Sequence, residues 1–342
     1  MRITVLTGGS TPERDVAFAG AAQVVAALRG TGHAVTVVDT TAGPLSPEDE
    51  ARLLVSAVGR EPPTDQELRR LRDRELGPAL VALPALREAD LIVPVLHGEQ
   101  GEGGALQALL EQAGFPYAGS GPLGSALAMD KDVAKRLFRF ADVPTPDWLM
   151  WPVEPAQAAQ QLGLPLVVKP VKAGSTVGLT VVRDPAQIEA AAQVALGYDD
   201  EVMLEAFVPG REFTVGILGE RALAVGEIIP SHEIFDYECK YTPGLCREVF
   251  PADIPSDLAA RLQQAALAAH NALKLRDFSR VDFRVTPAGA LGCLEANTLP
   301  GVTRMSLFPQ SAGAVGIDFP TLCQTIVGLA LARTARRNKV QS

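Results

Sequence analysis

Two short strings toward the C-terminal end place chemistry at strand spacing. Arg280 and Asp282 lie two apart in SRVDFRV, and Glu295 and Asn297 lie two apart in LEAN. Residues at i and i+2 of a strand share a face, so each string turns two polar groups to one side. Asp282, Glu295 and Asn297 then offer hard oxygen donors from two neighbouring strands, a set suited to Mg2+ that bridges nucleotide phosphates. A salt bridge between Arg280 and Glu295 would explain part of the pattern. It would not explain Asn297, or the turn Thr298-Leu299-Pro300-Gly301 directly after it.

Lysines and glycines upstream extend the theme. Lys131 follows the small-residue run SALAMD, and Lys169 leaves the apolar run LPLVVKP. The loop Lys172-Ala173-Gly174-Ser175-Thr176-Val177-Gly178 comes next. It is rich in N–H and hydroxyl donors, as phosphate cradles are. It is not the usual P-loop, because the lysine precedes the glycines and GK[ST] is absent. Two more glycine-rich strings lie near the N-terminus: GGSTPER (Gly8–Arg14) and HGEQGEGGALQ (His97–Gln107). Glu13 stands where a helix begins, either as a favourable N-terminal charge or to meet a substrate ammonium at the carboxyl edge of a sheet. The four glycines and two acids around His97 point to close backbone approach to a ligand rather than to packing.

Hydrophobic periodicity supplies the elements that would hold these groups. Residues 2–7 (RITVLT) read as a buried strand, Asp15 to Arg29 as a helix, and His33 to Val38 as a second strand. That rhythm predicts a parallel sheet with helices on its faces. Leu91 to Leu96 is a further buried strand, and the first unit closes near Ser120. Between them, from Gly43 to Asp90, only PPTDQELRRLRDREL reads clearly, as a solvent-facing helix. A second unit opens with GPLGSALAMDK and a helix through Phe140. Its strands are LPLVVKP, GLTVVRD and EVMLEAFV, with a helix at PAQIEAAAQVAL. A third unit has strands at EFTVGIL, RALAVGEIIP, SRVDFRV and GALGCLEAN and a long helix at LAARLQQAALAAHNAL. The polar segment Ser231–Pro251 is long enough to read as a lid.

Composition narrows the class. The 342 residues allow two or three domains, and a net charge of −9 argues against a general nucleic-acid binder. The basic cluster Arg333, Arg336, Arg337 and Lys339 reads as a solvated helix end. Cys239, Cys246, Cys293 and Cys323 form no CxxC pair and suit a reducing cytoplasm. MRITVLTGG carries no signal-peptide pattern, and no apolar run reaches membrane-spanning length.

Taken in order, GGSTPER, HGEQGEGGALQ, MDK, VVKPVKAGSTVGL, EAFVPGREFTV, FDYECKY, SRVDF and LEANTLPGVTRMSL resemble the D-alanine–D-alanine ligase branch of the ATP-grasp superfamily, from Gly8 to Pro309. The resemblance implies an α/β chain, α+β in part, with a parallel-sheet N-terminal domain (1–120) and two domains that clamp ATP. These would be a central subdomain (121–208) and a C-terminal catalytic domain (209–342) with a lid loop at 231–251. It implies ligation of two D-alanines through an acyl phosphate. Lys131 and Lys169 would hold ATP phosphates; Glu205, Ala206 and Val208 would read adenine; Glu212 would take the ribose. Asp282, Glu295 and Asn297 would hold two Mg2+ ions, with Mn2+ able to substitute. Glu13 would bind the first D-alanine and join Ser175 and Tyr241 in a network closing the lid. Lys240 would reach the transferred phosphate, and Arg280 with the N–H of Gly301 would stabilise the tetrahedral intermediate. His97, Ser306 and Leu307 would bind substrate, the last two at the second carboxylate. A cytoplasmic homodimer, with neither nucleic acid nor membrane as partner, completes the expectation. Ala17, Gly103, Ala206 and Met305 depart from the family pattern. They leave open an acceptor other than D-alanine, such as D-lactate or D-serine, and a non-catalytic relative is the third reading.

Overall fold

The structure, a computed structural model, describes residues 1–55, 63–174, 176–231 and 244–341. Ser175, Lys240 and Tyr241, and with them most of the expected lid, lie outside the described residues. Three sheets organise the rest. The first runs β3-β2-β1-β4, built from β1 (Arg2–Thr7), β2 (Ala34–Asp39), β3 (Gly43–Pro44) and β4 (Leu91–Pro94). β1 pairs in parallel with both β2 and β4, and only the two-residue β3 at the edge is antiparallel. Ile3 to Thr7 are all buried, as a strand covered on both faces should be. The helix Arg14–Gly30 covers one face with ten buried residues.

The second sheet is antiparallel, with β5 (Trp148–Met150), β6 (Leu166–Pro170), β7 (Thr180–Val182) and β8 (Val202–Ala206) in the order β5-β8-β6-β7. Helices Pro155–Leu162 and Ile188–Leu196 pack on it around Leu166, Val168, Ile188 and Leu204. The third sheet has β9 (Arg211–Leu218), β10 (Arg221–Pro230), β11 (Cys246–Val249), β12 (Phe278–Val285) and β13 (Leu291–Asn297) in the order β11-β10-β9-β12-β13. The helix Ser256–Ala272 seals one face, burying Leu262, Ala266 and Ala269 against Phe213, Val281 and Phe283. That leaves the alternate residues of the same strands for the other face.

Three sequence expectations change. The helix expected to run through Phe140 is two helices, Pro122–Met129 and Lys131–Phe140. Asp130 breaks them: its backbone is extended, and its side chain accepts the N–H of Val133 at 3.0 Å, as an N-cap does. Both helices contribute to the core of the third sheet through Ala128, Ala134 and Phe138. Second, the solvent-facing helix near residue 65 is confirmed but shorter, Asp65–Arg72, and a capping box between Thr64 and Glu67 starts it. Third, Arg333 is not a solvated helix end. It lies on the closing helix Phe319–Gln341 and donates to Tyr117 O and to both carboxylate oxygens of Asp277. That helix packs on Arg14–Gly30, so one apolar core joins Ile3, Val5 and Leu28 to Phe308, Phe319 and Ile326. No helix of the described residues is long and apolar enough to cross a membrane.

Candidate active site

The second and third sheets face each other across a cleft of about 130 Å3 that opens to solvent. Val167 and Lys169 of β6 and Glu205 and Ala206 of β8 form one wall. Glu212 of β9, Ile228 of β10, Asp282 and Arg284 of β12 and Leu294 and Glu295 of β13 form the other. Lys131, Phe207, Val208, Arg280 and Leu307 also line it, with Ala173, Thr176 and Val177 from the loop after β6. Strand alternation puts Arg280, Asp282 and Arg284 on one face, opposite the face sealed by the helix Ser256–Ala272. The register sets Asp282 opposite Glu295 and Arg280 opposite Asn297, and it shifts between Asp282 and Phe283. Such a bulge re-aims side chains, which accounts for two consecutive residues, Leu294 and Glu295, reaching the same cleft.

The polar groups here are tightly paired. Arg280 donates to both oxygens of Asp282, with Nη2 to Oδ2 at 2.8 Å. Thr214 Oγ1 and Asn297 Nδ2 also donate to that carboxylate, at 2.7 and 3.0 Å. The alternative Arg280–Glu295 bridge therefore gives way to a pairing within β12, and Glu295 meets Lys131 Nζ at 3.2 Å instead. Burial works against the Arg280 charge, but Asp282, Glu295 and Glu102 more than offset it and raise its affinity for the proton. Lys131 Nζ also donates to Ala173 O at 2.8 Å, which fastens the loop after β6 to the cleft. Among the described residues no three His, Cys, Asp or Glu side chains group around a metal position. The Asp282, Glu295 and Asn297 set supplies two carboxylates and an amide. Its carboxylates already face Arg280 and Lys131, so the place is one where positive charge is stabilised. Two carboxylates and an amide oxygen are hard donors of the class that Mg2+ takes.

Glu205 and its partner Lys135 are the most enclosed charged pair at the cleft wall. Glu205 accepts from Lys135 Nζ at Oε1 (2.5 Å) and from Lys169 Nζ at Oε2 (2.7 Å). Burial raises its proton affinity, yet the two ammonium groups hold the carboxyl below its usual range. Lys135 was not expected. In sequence it sits one turn after Lys131 on an amphipathic helix, which reads as a solvated face.

The N-terminal strings meet the loops that border the cleft, at Gly174 and at Thr298–Leu299. Glu13 is the N-cap residue of the helix Arg14–Gly30, and its Oε2 lies 3.7 Å from where a Cβ of Gly174 would be. The loop that contains Ser175 thus reaches Glu13. His97 is buried, with Nδ1 3.2 Å from Leu299 O and, among the described residues, no partner at Nε2. Gly301 and Ser306 also meet, since a Cβ on Gly301 would lie 2.8 Å from Ser306 Oγ. Ser306 precedes the short helix Leu307–Gly313 and bonds to the N–H and hydroxyl of Thr303.

The glycines after His97 do a different job from the expected one. A Cβ on Gly104, whose φ is +93°, would lie 2.5 Å from Pro122 O, and one on Gly101 would lie 2.6 Å from the Leu96 Cβ. They let the loop fold tightly on its own strand and on the next helix. That folding aims Glu102, a residue not expected in the site. Its carboxylate accepts the N–H groups of Thr298, Leu299 and Gly98 at 3.0–3.1 Å. Burial raises its proton affinity; His97 and the Leu299 N–H oppose this, and Glu13 adds to it. Glu102 therefore anchors the turn that carries Gly301.

Known proteins are similar to this chain in sequence and in fold. The family model described as "D-ala D-ala ligase N-terminus" matches residues 2–120, and "D-ala D-ala ligase C-terminus" matches residues 137–328. A D-alanine–D-alanine ligase of Synechococcus sp. (strain JA-2-3B'a(2-13)) is 38% identical over 97% of this chain and 94% of its own length. One from Gloeobacter violaceus is 39% identical over 97% of this chain and 100% of its own. Among solved structures, the D-alanine–D-alanine ligase of Coxiella burnetii superposes with a TM-score of 0.81 at 27% identity, over 99% of this chain and 96% of that one. The VanG D-Ala:D-Ser ligase of Enterococcus faecalis gives 0.78 at 29%, over 96% and 99%. The Bacillus anthracis ligase complexed with ATP gives 0.77 at 27%, over 98% and 99%. With both models matched in order and relatives aligned nearly end to end, this chain belongs to the D-alanine–D-alanine ligase family.

Proposed function

We propose that the chain joins two D-alanines into D-alanyl-D-alanine, with ATP converted to ADP and phosphate, for peptidoglycan precursor synthesis. The observation that carries this reading is the meeting of Lys131, Lys169, Arg280, Asp282 and Glu295 in one cleft, beneath a loop that also reaches Glu13. A carboxylate is a poor electrophile. Transfer of the γ-phosphate of ATP to the first D-alanine carboxylate breaks the β–γ bridge and gives D-alanyl phosphate and ADP. The second amine then attacks the acyl carbon, and phosphate leaves.

The residues divide this work. Glu205, Ala206 and Val208 read adenine, and Glu212 takes the ribose hydroxyls. Lys131 and Lys169 meet the phosphates, with Lys240 at the transferred group. Glu13 holds the first D-alanine ammonium beside His97 and joins Ser175 and Tyr241 in a network that locks the lid. Asp282, Glu295 and Asn297 would hold two Mg2+ ions, or Mn2+ in their place, which when bound would neutralise phosphate charge. Negative charge that develops on the tetrahedral carbon's oxygen falls to Arg280 and the N–H of Gly301, which Glu102 keeps in place. Ser306 and the N–H of Leu307 take the second carboxylate. Functionally the chain divides at 1–120, 121–208 and 209–342. A cytoplasmic homodimer belongs to the same reading and rests on the family resemblance.

The test is incubation with ATP, Mg2+ and D-alanine, followed by ADP measurement and chiral identification of the product. D-alanyl-D-alanine in step with ADP is expected. ADP release indifferent to D-alanine overturns the ligase reading, and a mixed product from competing D-serine or D-lactate overturns the acceptor.

A further inference from the structure

The ion cluster in the cleft wall has one member that the proposed chemistry leaves unused. The Lys135 side chain is 0% exposed and is not part of the cleft lining, whereas Glu205 and Lys169 are. Its ammonium is held on three sides: by Glu205 Oε1 at 2.5 Å, by Thr145 Oγ1 at 2.7 Å and by the Trp148 ring, 5.2 Å to the centroid. Trp148 stands directly opposite Glu205 in the sheet, and Thr145 is itself fixed through Cys293 O at 2.8 Å. Desolvation of a lysine costs several kcal/mol, and apolar replacements of buried ion pairs are often neutral or stabilising. Stability alone is a weak reason for this lysine.

Charge balance supplies a better one. One carboxylate faces two ammonium groups, one sealed in protein and one at the cleft surface. The sealed lysine satisfies Glu205 and leaves a surplus positive charge on Lys169. Without Lys135, Lys169 would be the only counter-ion of Glu205 and would be retained by it.

We propose that Lys135 is a positioning residue for nucleobase selection: it fixes Glu205 as a hydrogen-bond acceptor at the cleft wall and frees Lys169 to turn to phosphate. This inference rests on the nucleotide assignment made above and deepens it. An acceptor-only carboxylate beside the strand that reads the base pairs with an exocyclic amine and repels a carbonyl oxygen. It therefore selects a 6-aminopurine over a 6-oxopurine. A carboxylate without its sealed partner can rotate or stay with Lys169, and the selection fades.

The experiment compares wild type, Lys135→Met and Lys135→Arg. Binding of ATP and of ITP is measured by calorimetry, and kcat and KM for each nucleotide are measured with D-alanine. Wild type is expected to favour ATP by about 10⁴-fold, the discrimination of a site built to pair a polar group. Lys135→Met is expected to reduce that ratio about tenfold, mostly through a higher KM for ATP, and Lys135→Arg to restore part of it. A lower melting temperature with an unchanged ATP/ITP ratio overturns the proposal. If Lys135→Met does not fold, Thr145→Val removes one of the ammonium's partners, and an unchanged ratio in that variant is equally fatal. The two readings fail separately: a chain that selects ATP but forms no dipeptide contradicts the ligase, whereas a ligase whose selectivity ignores Lys135 contradicts this inference alone.

Discussion

His270 makes the stability of the third sheet depend on pH in a way that can be calculated. It lies on the helix Ser256–Ala272, 3% exposed, with Nδ1 2.7 Å from Ser279 Oγ on β12. Burial lowers its pKa from 6.5 to about 4, although the charge of Asp277 pulls the other way. The folded state thus takes up the proton later than the unfolded state does. Stability is complete above the unfolded value of 6.5 and is lost as pH falls toward 4. Linkage gives a loss of about 2 kcal/mol at pH 5 and about 3 kcal/mol at pH 4. Carboxylates also titrate in this range, so the informative quantity is a difference between two proteins. Urea unfolding of wild type and His270→Gln is measured from pH 8 to pH 5. At pH 8 the variant is the less stable, because the ring packing and the Ser279 bond are disturbed. The gap is expected to shrink by about 2 kcal/mol at pH 5, since only wild type has a proton to gain there. A gap constant to within about 0.5 kcal/mol across that range would refute the assignment of a neutral, proton-averse imidazole beneath β12.

Other expectations concern the cleft and its supports. Glu295→Gln removes a carboxylate from the proposed metal set and is expected to abolish ligation; turnover like wild type at saturating Mg2+ would sink that role. Arg280→Met is expected to lower kcat by about 10²–10³, the usual loss for one oxyanion donor. A change confined to KM would make Arg280 a ground-state binding group instead. Arg333→Met leaves the buried Asp277 carboxylate without its guanidinium partner and is expected to cost about 2 kcal/mol in urea unfolding; an unchanged midpoint would return Arg333 to the solvated helix end.

What could be read from the sequence was whatever depends on local period. The parallel first sheet followed from its strand–helix–strand rhythm, and the shared face of Arg280 and Asp282 from strand alternation. That RVD and LEAN lie on neighbouring strands was also legible, whereas the register that sets Asp282 opposite Glu295 was not. The parts that could not be read depend on partners far along the chain. Lys135 becomes buried only because Glu205, 70 residues later, lies beside it. Glu102 becomes an anchor because the N–H groups at 298 and 299 arrive nearly 200 residues later. Arg333 was misread for the same reason, since its partner Asp277 stands 56 residues away. The glycines after His97 were misread through chemistry: both a ligand and a neighbouring carbonyl exclude a Cβ, and composition does not distinguish them. An interruption as short as Asp130 hides inside an otherwise helical pattern.

The core shared by the first sheet and the closing helix bears on the order in which the protein can be made. Val5, Leu28 and Val93, near the beginning, pack with Phe308, Phe319, Leu322 and Ile326, near the end. During synthesis the opening residues emerge long before the side chains that complete their packing exist. A nascent chain that has not yet passed residue 319 therefore carries an apolar flank on its first sheet that nothing later in the chain has covered, which is the condition under which incomplete chains self-associate or engage chaperones. The same wiring reaches further along the chain: the Arg333–Asp277 pairing, which also engages Tyr117 O, closes only once residue 333 has been made. Early termination thus removes more than a tail, because it leaves the amino-terminal third without part of its own interior.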